Sequence, residues 1–129
     1  MKVRFGFVSN SSSTSFCIVG IGDDISVKDI FKHVVEKENI PLEEAYDMFG
    51  CGTEEIGGLV FTGHPAYDCT SWEDFLANSD LDYVGVDAEK ILESASISQA
   101  RQKVRAIFAE IGVDVPEKSI GLHYGEASN

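Results

Sequence analysis

GFVSNSSSTSFCIVG, residues 6–20, is the stretch on which the reading of the fold turns. Seven small polar residues, Ser9 to Ser15, separate two apolar runs. Upstream, Val3, Phe5 and Phe7 alternate with Arg4 and Gly6, the period-two pattern of a half-buried strand. Downstream, Phe16-Cys17-Ile18-Val19 is continuously apolar, as in a strand at the centre of a sheet. The serine run is longer than the commonest hairpin loops of about two to five residues. The expectation is a loose N-terminal hairpin with a hydroxyl-rich connection.

Working outward, Gly20 to Asp24 turns into a helix with Ser26 as its N-cap and Val27, Ile30, Phe31 and Val34 as its apolar stripe. Pro41 suits the first turn of a second helix, in which Leu42, Ala45, Tyr46 and Phe49 share one face before Gly50. Gly57-Gly58 introduces a strand at Leu59-Val60-Phe61. Thr70 or Ser71 caps a short helix carrying Trp72, Phe75 and Leu76. Tyr83 to Val86 reads as a strand, Asp87 as the cap of a helix with Ile91 and Leu92, and Ser98 as the start of a helix ending at Gly112. Ile120 to Tyr124 reads as the last strand.

The connections after the hairpin are long enough to hold helices, which permits parallel crossovers. The expected fold is α/β or α+β: a mixed sheet of about five strands, covered by four to five helices. A single domain is expected over residues 1–124, with 125–129 as a frayed tail.

Bulk composition restricts function. A chain of 129 residues, 43% hydrophobic and 25% charged, has the composition of one globular domain. No apolar run is long enough to span a bilayer and no signal-peptide core is seen, so a soluble cytoplasmic protein without membrane contact is expected. Twenty-two acids against ten Lys and Arg leave a net charge of −12. Such a surface repels phosphate backbones, so direct nucleic-acid binding is not expected. Arg101, Lys103 and Arg105 form the densest basic cluster, a thin footprint better read as a solvated helix flank.

Chemistry-bearing residues are scattered. Cys17, Cys51 and Cys69 occur singly, without a C-x-x-C pair or the paired spacing of a zinc site. Cys51, His64, Asp68, Cys69 and His123 are the available metal ligands, and Cys51 or Cys69 with His64 or His123 the available nucleophile–base pairs. No G-x-S-x-G elbow is present. His33 lies off its helix stripe, and Glu43-Glu44, Glu54-Glu55 and Glu73-Asp74 read as solvated helix starts. No catalytic residue, metal or cofactor is expected. Gly6, Gly85 and Gly121 inside strands mark close packing or a shallow depression on one sheet face.

The string Gly6-Phe7-Val8-Ser9-Asn10-Ser11-Ser12-Ser13-Thr14-Ser15-Phe16 resembles the N-terminal signature of small bacteriophage proteins of unassigned function. The resemblance spans about a dozen residues and implies a phage or phage-derived accessory gene rather than a mechanism.

Two functional expectations follow. The first is an acidic protein-interaction module, in the extreme an inhibitor or nucleic-acid mimic, binding a host or phage protein with a basic surface through a face built from Glu36, Glu38, Glu43, Glu44, Asp47, Glu54 and Glu55. The alternative is a small-ligand or phosphate-binding domain, with or without enzymatic activity, contacting the anion through Asn10, Ser11, Ser12, Ser13 and Thr14. That loop, however, lacks the glycines, lysine and following helix of a P-loop.

Overall fold

Ser13 to Ile21 form one nine-residue strand, β1, inside a five-stranded sheet. The computed structural model describes residues 13–22, 24–49 and 52–128. Strand character therefore begins in the serine run, three residues before the apolar stretch. Val3 to Phe7, the expected first arm of the hairpin, lie outside the described residues. Of that hairpin only β1 is seen, held by two later strands.

Helix α1 (Asp24–Lys37) buries Val27, Ile30, Phe31 and Val34 as its stripe requires, together with Val35. Ser26 is inside its first turn rather than capping it. Ile25 is 78% exposed, so this turn buries too little apolar surface to register in a hydrophobic pattern. Leu42–Asp47 is a 3₁₀ turn, not an α-helix. Phe49 bends away with φ 61°, and its N–H donates to the Glu54 carboxylate at 3.1 Å rather than to a helical carbonyl.

The expected helix start at Glu54-Glu55 is instead strand β2 (Thr53–Ile56), paired with β3 (Leu59–His64). Gly57 and Gly58 join them with φ of 59° and 86°. Two successive positive φ values define the I′-type hairpin turn, and glycine adopts them at least cost.

Helix α2 (Trp72–Asn78) is capped by Ser71, whose hydroxyl accepts the Asp74 N–H at 3.0 Å. Strand β4 (Asp80–Asp87) leads into the single turn α3 (Ala88–Ile91), with Asp87 accepting the Glu89 N–H at 3.1 Å. Helix α4 (Ile97–Ile111) starts one residue before the expected Ser98: Ser96 is its cap and makes both bonds of a capping box with Gln99. After a short 3₁₀ turn at Glu117–Ser119, β5 (Gly121–Ser128) is the last described element. Gly125 to Ser128, expected as a frayed tail, pair with Phe16 to Ser13. Their small side chains conceal the strand, which the partner ladder supplies.

The strand order is β2-β3-β4-β1-β5, and every neighbouring pair is antiparallel. The domain is α+β, and the expected mixed sheet is corrected to a wholly antiparallel one. The β3–β4 connection carries α2 and returns the chain to the sheet antiparallel to β3.

One sheet face, carrying Val19, Ile21, Leu59, Phe61, Leu81 and Val84, packs against α1, α2, α3 and α4. Phe31 is the hub of this core. Its ring meets Phe61 edge-on at 5.2 Å, Trp72 at 6.0 Å, Phe75 at 5.9 Å and Phe49 at 6.1 Å. The second face carries a smaller cluster of Phe16, Ile18 and Val60 with Tyr83 against it.

Candidate functional site

Acidic residues gather where α1 ends. Glu36, Glu38, Glu43, Glu44 and Asp47 are all exposed over a stretch in which Lys37 is the one cation. Two contacts hold this stretch beside the β2–β3 hairpin. The Glu38 carboxylate lies against Gly57, and Glu54 is bonded to Phe49. The expected seven-residue acidic face is divided by strand alternation. Glu54 sits opposite Phe61 on the helix side, while Glu55 sits opposite Val60 on the second face. Five of the seven carboxylates remain on the exposed segment.

The second face places polar groups around a row of glycines. Pairing aligns Glu55, Val60, Gly85, Gly20 and Gly121 across all five strands. Of the three strand glycines in the sequence expectation, Gly85 and Gly121 share this row, and Gly6 lies outside the described residues. Tyr83 and His123, on strands separated by β1, bring their rings to 5.1 Å. The His123 Nε2 is buried and has no hydrogen-bond partner among the described residues. Asp87 and His123 both sit opposite Ile18, one on each side. Burial pushes the Asp87 carboxyl above the ordinary 3.8. The bond from Glu89 N–H opposes this, the carboxylates of Glu89 and Glu55 add to it, and Lys90 partly offsets it.

The serine run and the pocket in this region are far apart. Asn10, Ser11 and Ser12 lie outside the described residues, whereas Ser13 and Thr14 begin β1 and pair with Ser128 and Ala127. A pocket of roughly 310 Å³ opens at the opposite end of β1, lined by Ile21, Gly22, Ser26, Val115, Pro116 and Ser119. Eight residue steps separate Ser13 from Ile21, about 26 Å of strand. A small ligand in that pocket does not reach the Ser13–Thr14 end of the strand.

Other sequence candidates are dispersed. His64 is on β3 and His123 on β5, with two strands between them. Among the described residues no group of three or more His, Cys, Asp and Glu side chains is placed to hold a metal ion. Cys51 lies outside the described residues. Burial, then the Asp87 charge, pushes the Cys17 thiol up. Desolvation, then Asp74 and Asp68, does the same at Cys69. Both shifts oppose formation of a reactive thiolate. Arg101, Lys103 and Arg105 are exposed on α4, and Arg105 is 3.9 Å from Asp114. The His33 side chain is 37% exposed; its Nδ1 is 2.8 Å from the Asp29 carbonyl oxygen, and its ring lies near Gly112.

One surface escaped the sequence reading. Leu122, Tyr124 and Glu126 follow one another at every second position along the helix side of β5, and all are exposed. Leu122 is 45% and Tyr124 74% exposed. Their alternation with Gly121, His123 and Gly125 is the signal that extends the strand past Tyr124.

Among the described residues no helix is long and apolar enough to cross a membrane. In comparisons with protein-family models, curated proteins and solved structures, the chain matches none of them.

Proposed function

We propose that this chain is a non-catalytic interaction module, of phage origin by its N-terminal signature, that binds a basic surface on a host or phage protein. The observation that carries the reading is the segment Glu36 to Asp47, with five exposed acidic residues and one lysine on a chain of net charge −12. Clustered charge of one sign raises the encounter rate with a basic partner and penalises acidic ones. Where the partner is a nucleic-acid-binding protein, the carboxylates stand in for phosphates, and the module inhibits by occupying the binding surface.

The test compares wild type with a variant in which Glu36, Glu38, Glu43, Glu44 and Asp47 become their amides. Proteins captured from bacterial lysate are identified by mass spectrometry at low and high salt. A partner held by wild type, released by salt and lost in the variant supports the reading. Capture of the same partner by both proteins, or capture indifferent to ionic strength, overturns it.

A further inference from the structure

We propose that β5 is a docking edge onto which an extended basic segment of a partner adds as a sixth strand. This rests on the reading above and names how the partner is held. Among the described residues β5 is the last strand in the sheet order, and its eight residues pair with β1 from Gly121 to Ser128 without a register shift. It contains no Pro, no Lys and no bulge, the devices that ordinarily blunt an exposed edge. Half of its backbone N–H and C=O groups point away from β1 and can template another strand. The opposite edge is the four-residue β2, which gives a much shorter ladder.

Side chains supply the specificity. Leu122 and Tyr124 form an exposed apolar step beside β1, on the side where the helices pack. An added strand places alternate residues next to this step, where aliphatic side chains gain cross-strand contact. Glu126 continues the same line and is the one acidic side chain on β5. α3, which is capped by Asp87 and carries Glu89, packs on β1. Charge selects the occupant. A second copy of this chain brings another −12 and another Glu126, whereas a strand alternating cations with aliphatic residues matches both the acid and the step.

The probe is an eight-residue capped peptide alternating lysine with valine, the length of β5. A control carries backbone N-methyl groups on alternate residues, which keep the charge and remove ladder donors. Binding is followed by amide NMR of the full chain at about 50 mM salt. The expected result is shifts centred on Gly121 to Ser128 and hydrogen exchange there slowed roughly tenfold or more. The N-methylated peptide and the Tyr124→Lys variant should each weaken binding roughly tenfold. Equal affinity for the N-methylated peptide, or shifts confined to Glu36 to Asp47, overturns edge docking and leaves the acidic-module reading standing. If neither peptide binds at low salt, both readings fall.

Discussion

Gly20 and Gly85 lie directly opposite one another where β1 pairs with β4, and neither has room for a side chain. A Cβ on Gly20 would collide with the Val84 carbonyl oxygen, and one on Gly85 with that of Val19. The obstacles are backbone atoms of the central strands, which cannot swing aside as a side-chain tip does. Gly20→Ala and Gly85→Ala are each expected to destabilise by about 1–3 kcal/mol. Gly121 ends the same row, yet its Cβ would meet nothing within 4 Å, so Gly121→Ala should stay within about 0.5 kcal/mol of wild type. Urea unfolding of the three variants checks the contrast.

Phe31 joins α1 to the 3₁₀ turn's end, β3 and α2 through four ring contacts. It is fully buried, so truncation leaves a cavity that four elements would have to collapse into. Phe31→Ala should cost about 3–5 kcal/mol. For a domain of this size that is a large share of a typical folding stability of about 5–15 kcal/mol. Thermal and urea unfolding give the value. A loss near that of an exposed substitution would deny Phe31 its hub position.

Asp87 makes stability depend on pH. Its folded-state carboxyl is pushed above the ordinary 3.8, chiefly by burial, so the folded chain holds this proton more tightly than the unfolded chain. The contribution is therefore full below 3.8 and is lost as pH rises through the raised value. Asp87→Asn retains a capping oxygen for the Glu89 N–H and cannot ionise. The variant should gain stability relative to wild type between about pH 3 and pH 7, with the gap closing at the acid end. Paired urea titrations at the two pH values measure it, and a gap independent of pH would reassign Asp87 to capping alone.

Ser96 and Ser98 separate the observed start of α4 from the start that residue types suggest. Ser96 accepts the Gln99 N–H at 3.2 Å, while its own N–H donates to the Gln99 side chain at 3.0 Å. Ser96→Ala should cost about 1 kcal/mol. Ser98 is exposed within the helix, and its alanine variant should be neutral to within about 0.5 kcal/mol. Denaturation midpoints decide between the two positions.

Periodicity located much of the helical layer because amphipathic burial leaves a mark in the chain itself. Val27, Ile30, Phe31 and Val34 on α1, and Ala100, Val104 and Phe108 on α4, are core positions for that reason. The caps at Ser71 and Asp87 were legible because each involves atoms two or three residues apart. β2 was not: Glu54 and Glu55 resemble a helix start until the Gly57-Gly58 turn is read as a hairpin. The acidic segment could be named from composition, but only alternation along β2 separates Glu54 and Glu55 onto opposite faces.

Strand order and direction, and with them the site, belong to the tertiary structure. Neither Ser13 to Ser15 nor Glu126 to Ser128 carries a strong apolar pattern of its own. Each acquires strand form from hydrogen bonds to the other, across more than a hundred residues of chain. The same pairing makes β5 an edge and leaves Leu122 and Tyr124 uncovered. Net charge, helix faces and caps are properties of short segments and survive in the one-dimensional string. An edge exists only once every other strand has taken its place.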